Sequence, residues 1–349
     1  MDRSSVYKKI PGALLPWYRE NKRDLPWRED TEPYHIWLSE IMLQQTRVEA
    51  VKGYYTRFLK ELPTTESLAN ADDALLHKLW EGLGYYSRVR NLKKAAQVVM
   101  QQYNGVFPTQ YAQVRELPGI GDYTAGAICS IAFSQLTPAV DGNVLRVVSR
   151  LTDDATPIDS PAYKKAVKEA LQGIYPREAG EFTQALMELG ATVCGPNREP
   201  DCPNCPCKSF CLGFLNGHAK SLPVKKPKLP RRIEERTVFI LRCDDRYALQ
   251  KRPDRGLLAG LWQFPNVSGK LELEEALCWI KNAGLHPTQV HRQLERKHIF
   301  THIVWQMRGI YLTVQDTNDD YVWLTPQQIN AQAALPTAFR QFWEEAENV

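Results

Sequence analysis

Two patterns of apolar positions divide this chain. Up to about residue 215, apolar residues recur every three to four positions, so 34–59, 72–79, 91–102 and 163–173 read as helices broken by Pro and Gly. Shorter runs join them: residues 124–133 follow a Pro-Gly turn, and an apolar run from 142 to Leu151 follows Asp141. Beyond residue 233 the period changes. Residues 237–241 and 247–251 alternate around Asp244-Asp245, a helix is expected over 271–283, and alternation returns at 303–314. The first part is therefore mostly α and the second α+β, with no internal repeat.

Length and charge sharpen that division. A chain of 349 residues, 43% hydrophobic and 24% charged, can build two cores. No run approaches a membrane span, and residues 1–16 lack the apolar centre of a secretory signal, so a soluble, cytoplasmic monomer is expected. The net charge of +4 has one source: residues 221–233 hold five Lys/Arg, no Asp/Glu and three prolines. Proline disfavours helix and sheet, which makes this the natural linker. Such a basic linker suits either a phosphate backbone or plain solvation. The expected domains are 1–217, a linker over 218–233, and 234–349.

Four features carry candidate chemistry. In Leu117-Pro118-Gly119-Ile120-Gly121-Asp122-Tyr123, two glycines make a tight turn at a helix start, where backbone N–H groups can hold a phosphate; a simple packing turn fits as well. Glu40 interrupts the apolar run Ile36–Leu43, where poor solvation would raise its pKa as a general acid requires; a rim residue facing water is the alternative. Asp141 reads as an N-cap whose carboxylate can also face a cleft. Cys194, Cys202, Cys205, Cys207 and Cys211 fall within eighteen residues, a density that suits zinc or an iron-sulfur cluster better than disulfides. Cys129, Cys243 and Cys278 stand singly and read as core residues.

Taken in order, Leu25-Pro-Trp-Arg28, Trp37-Leu-Ser-Glu-Ile-Met-Leu-Gln-Gln-Thr46, Gly82-Leu-Gly-Tyr-Tyr-Ser-Arg88, Leu117 to Gly126, Val140-Asp-Gly-Asn143 and the cysteine loop resemble the adenine DNA glycosylases. These are helix-hairpin-helix enzymes of base-excision repair. The resemblance covers nearly all of residues 11–215. Further on, Lys251-Arg-Pro253 and Gly256 to Pro265 are similar to that family's Nudix-like domain, without the acidic metal-binding helix of working Nudix hydrolases; only Glu272, Glu274 and Glu275 stand in the corresponding stretch.

The resemblance implies a fold and a set of roles. An all-α helix-hairpin-helix domain with an iron-sulfur loop would be joined by the basic linker to an α+β Nudix-like domain. Adenine opposite 8-oxoguanine or guanine in double-stranded DNA would be flipped into a pocket and released by hydrolysis. Glu40 would protonate the base and Asp141 would stabilise the sugar cation. Tyr123 would contact the sugar and both carboxylates, and Asn143 would orient Glu40. Arg23, Leu25, Trp27, Arg28 and Gln184 would form the adenine pocket, although Leu25 and Trp27 read equally well as core. Leu117, Gly119 and Gly121 would hold a phosphate, while Gln45 and Tyr85 would wedge into the base stack. Phe300-Thr301-His302 matches the family's 8-oxoguanine loop, with Thr301 where a serine is usual. A 4Fe-4S cluster would be held by Cys194, Cys202, Cys205 and Cys211, with Arg198 and Lys208 beside it; seven residues, not six, separate the first two cysteines, and Cys207 is spare. Bifunctional relatives resembling endonuclease III use a lysine where Tyr123 stands, and this chain has none between Lys94 and Lys164. A monofunctional glycosylase is thus expected. A non-catalytic DNA-binding protein is the rival reading, disfavoured because both carboxylates are present.

Overall fold

The computed structural model describes residues 2–196, 199–227 and 229–346. They form two compact units, one of Met1–Asn70 with Arg90–Pro227, the other of Ala71–Val89 with Lys228–Val349. Among the described residues no helix is long and apolar enough to cross a membrane.

In the first unit, helix Gly142–Leu151 lies at the centre, with every residue from Val144 onward buried. Val147 and Val148 pack with Ile10 and Leu14 of helix Arg3–Asn21 and with Phe182, Leu186 and Leu189 of helix Ala179–Thr192. The helix expected over 34–59 is two helices, Pro33–Leu43 and Val48–Glu61. Gln45 has left-handed backbone (φ 57°), which stops the first helix although neither Pro nor Gly marks the place. Helix Tyr111–Glu116, the turn and helix Asp122–Phe133 make the hairpin. Gly119 is required there: its φ is 80°, and a Cβ would lie 2.7 Å from Asn91 Cβ. The basic segment is less free than a linker. Lys226 N–H donates to Asp159 (2.7 Å) and Ile158 N–H to the Val224 carbonyl (3.0 Å), tying residues up to 227 to this unit.

The second unit is built on a sheet of β1 (Arg232–Cys243), β2 (Arg246–Lys251), β3 (Trp262–Gln263), β4 (Asn266–Ser268), β5 (Pro287–Ile299), β6 (Ile303–Val314) and β7 (Val322–Leu324). Its order is β3-β2-β1-β6-β5; β4 pairs with β1 and β7 with β2. Strands β1 and β6 run parallel, and Asp244 (φ 51°) turns the β1–β2 hairpin. Helix Leu273–Asn282 covers one face through Ala276 and Ile280. Phe339, Phe342 and Trp343 of helix Thr337–Ala346 cover the other. Glu272 and Glu275 close a capping box at the start of helix Leu273–Asn282, and Glu272 pairs with Arg308 at 3.1 Å.

Residues 71–89 group with this second unit by their contacts. Glu81 makes part of that contact: its carboxylate accepts from the Leu335 N–H (2.9 Å) and pairs with Arg340. Contacts across some 250 positions leave no local trace in a sequence.

Candidate active site

Helix Pro33–Leu43 is buried from Ile36 to Met42, so a carboxylate there is poorly solvated. Glu40 is 5% exposed and accepts a hydrogen bond from the Tyr123 hydroxyl at 2.6 Å. Burial raises its pKa; the Tyr123 hydrogen bond opposes this, Asp141 adds to it and Arg28 opposes it, leaving the group at about 7. Tyr123, one residue into helix Asp122–Phe133, is pushed well above its ordinary value by burial and then by Glu40. It stays a hydroxyl donor. Glu40 is therefore an acid in place of the rim residue that the sequence also allowed.

Asp141 caps helix Gly142–Leu151, accepting from Val144 N–H and from Asn143 Nδ2, each at 2.7 Å. Burial raises its pKa against these two donors. Asn143 consequently orients Asp141, whereas sequence reasoning assigned it to Glu40. Its own oxygen accepts from Arg146 (2.9 Å), whose guanidinium also donates to the carbonyls of Gly190 (2.7 Å) and Cys194 (2.8 Å). A buried guanidinium needs such partners. A chain of hydrogen bonds thus runs from Asp141 through Asn143 and Arg146 to the first cysteine of the loop.

Glu40, Tyr123, Asp141 and Asn143 line one cavity of about 940 Å³ in the first unit. Arg23, Leu25, Trp27, Arg28 and Gln184 line it too, as do Gln45 and Gly121. Trp27 packs edge-on against Tyr55 at 5.6 Å, so it serves core and cavity wall together. Sequence reasoning missed Glu188, one helical turn after Gln184. It is fully buried and accepts from Arg23 (Nε 2.6 Å, Nη2 3.0 Å, N 3.2 Å) and from Arg28 Nη2 (2.7 Å). Its signal was the one that exposed Glu40, an acid inside an apolar helical run. Arg146 gave a similar signal within Val144–Leu151.

The hairpin presents the helix start beyond Gly121 to this cavity, while Leu117 and Ile120 are buried beneath the turn. Gln45 is exposed with left-handed backbone, and in the second unit Tyr85 is too (φ 47°, 48% exposed). Side chains held on strained backbone in this way are common at functional tips. Also in the second unit, Tyr85 Oη lies 2.8 Å from Thr301 Oγ1 in the β5–β6 turn. The Phe300 ring is clamped edge-on between His298 (4.5 Å) and Trp305 (4.9 Å), leaving Thr301 and His302 exposed.

Cys194, Cys202, Cys205 and Cys211 line a second, small cavity together with Arg150. Arg150 Nη1 donates to Cys194 Sγ at 3.2 Å, and the Cys211 thiol donates to the Arg150 carbonyl at 3.3 Å. Cys207 is fully buried in the neighbouring core and does not line the cavity. Among the described residues no group of three or more His, Cys, Asp or Glu side chains is arranged to hold a single metal ion. Lys208 donates to the Pro203 carbonyl (2.8 Å), and Arg198 lies outside the described residues. Cys129 and Cys243 are buried as expected, but Cys278 is exposed.

Known proteins resemble both parts of the chain. Residues 38–176 match the family model of HhH-GPD superfamily base excision DNA repair proteins, and residues 237–345 that of the NUDIX domain. The chain is 37% identical over 366 residues to an adenine DNA glycosylase of Arabidopsis thaliana, covering 89% of this chain and 58% of the plant protein. It is 36% identical over 398 residues to one of Rattus norvegicus, covering 96% and 74%. Among solved structures, a thermostable thymine-DNA glycosylase is similar (28% identity, TM-score 0.54), covering 61% of this chain and 98% of its own.

Proposed function

Since the chain belongs to the adenine DNA glycosylase family, we propose that it hydrolyses the N-glycosidic bond of adenine mispaired with 8-oxoguanine or guanine in duplex DNA. The observation that carries this is the placement of Glu40, Tyr123 and Asp141 on one cavity, where burial raises the Glu40 carboxyl to about 7 and the Tyr123 hydroxyl holds it in place. Adenine is a poor leaving group until a ring nitrogen is protonated. Glu40 gives its proton to the flipped base, the bond to the sugar breaks, and Asp141 faces the resulting oxocarbenium-like cation. Water then adds to the sugar carbon and yields its proton to Glu40, restoring the acid. Arg28 and Gln184 supply donors and acceptors to the base edge.

Among the described residues lining the cavity there is no lysine, which supports hydrolysis without a Schiff base. The hairpin N–H groups would hold a phosphate, Gln45 and Tyr85 would enter the stack, and Thr301 with His302 would recognise 8-oxoguanine. Cys194, Cys202, Cys205 and Cys211 would hold a 4Fe-4S cluster, since these four thiols line one cavity. When bound, that cluster supplies a template for the loop. Adenine release from duplexes with adenine opposite 8-oxoguanine, guanine or thymine, beside a thymine glycol duplex, tests the reading. Release from the 8-oxoguanine duplex with none from thymine glycol is expected; the reverse pattern overturns it.

A further inference from the structure

A carboxylate with no solvent exposure, holding two arginines on the wall of a cavity whose acid must stay protonated, calls for an explanation. Glu188 accepts along the whole edge of Arg23 and the end of Arg28, and Arg28 Nη1 donates to the Arg23 carbonyl at 2.9 Å. Burial alone would raise the Glu188 carboxyl, but Arg23 and then Arg28 outweigh it and hold it below its ordinary value. It is therefore the charged partner. Arg28 also acts on Glu40 across the cavity that both line, where it favours loss of the proton that the proposed reaction needs.

The surrounding charges narrow the role further. Arg28 lies over the Tyr18 ring at 5.5 Å and Lys22 over the same ring at 5.9 Å, both beside the end of helix Arg3–Asn21. Tyr123 faces Glu40 from the hairpin helix, and Asp141 adds a like charge from the start of helix Gly142–Leu151. Arg146, on that same helix, is spent on Asn143 and two carbonyls. Arg19 pairs with Glu181 at the surface. Glu188 is thus the anion that Arg28 has in place of Glu40.

We infer that Glu188 is a positioning residue: it neutralises Arg28 and Arg23 and holds the Arg28 guanidinium away from Glu40, so that the cavity can carry an arginine for the base without ionising its acid. The inference rests on the reading of Glu40 as the proton donor. It requires no new ligand.

The test uses the full chain without DNA, its glutamate carboxyl carbons labelled for NMR and the Glu40 signal assigned through Glu40→Gln. In Glu188→Gln the Glu40 carboxyl is expected to titrate about one unit below wild type, and Glu188→Asp to restore it in part. The alkaline fall of single-turnover adenine release should move down by the same amount, which a merely structural role would not produce. Should Glu188→Gln fail to fold, Arg28→Met with Glu188→Met removes the buried guanidinium together with its carboxylate and leaves only Arg23, whose side chain is 35% exposed, without its partner; Glu40 should then titrate at or above the wild-type position. An unmoved Glu40 in Glu188→Gln, or a downward move in the double variant, overturns the inference. If wild type releases no adenine, the proposed reaction fails while the NMR arm still decides this one.

Discussion

Replacing Glu40 by glutamine should end base release and, in alkaline solution, make the protein more stable. The carboxyl moves from 4.5 in its ordinary state to about 7 on folding, because burial disfavours its charge. A group whose pKa is raised by folding binds its proton more tightly in the folded state. The wild type therefore loses stability as pH climbs from 4.5, and the loss levels off once the pH passes about 7. A tenfold change in proton affinity corresponds to about 1.4 kcal/mol, so the full cost is about 3 kcal/mol. Glutamine cannot ionise and can still accept from Tyr123. Urea unfolding of both proteins at pH 4.5 and 8.5 isolates this effect, since every other titrating group is common to the pair. The stability difference should favour Glu40→Gln by about 3 kcal/mol more at the higher pH. Parallel pH profiles would refute the reasoning that Glu40 is a buried acid, whatever the variant does to catalysis.

Three other outcomes are expected. Cys207→Ser should keep the iron content and visible absorption of wild type, whereas Cys202→Ser should lose both; elemental analysis and absorption spectra check this. Thr301→Val removes the hydroxyl that meets Tyr85, and a lost hydrogen bond of about 1 kcal/mol should reduce discrimination of 8-oxoguanine from guanine opposite adenine by roughly fivefold in competition assays. Adenine release by wild type should fall as pH rises through about 7, where Glu40 gives up its proton; a flat profile to pH 9 would exclude it as the acid.

Much of the cavity was legible because its signals are local. The Pro-Gly-Ile-Gly turn, an acid within Ile36–Leu43 and a cap before Val144 each follow from neighbours within four positions, and the structure brings them onto one cavity. Glu188 and Arg146 carried similar signals and were passed over, since an ionisable group in a helix shows its role only when its partner is known. That partner lies 165 positions away for Glu188 with Arg23. Strand β5 was also missed. Its residues are polar and mostly half-buried, so the alternation that revealed β6 is faint there. The break at Gln45 was hidden because no residue type announces left-handed backbone in glutamine.

The allegiance of residues 71–89 bears on how the chain is made. These residues leave the ribosome early, yet their partners Leu335 and Arg340 come near the end. At about 5–20 residues per second, synthesis of the intervening chain takes roughly 12 to 50 seconds. For that interval the bonds from Glu81 to Leu335 and Arg340 cannot form. The segment around Glu81 thus completes its contacts only when synthesis is nearly finished.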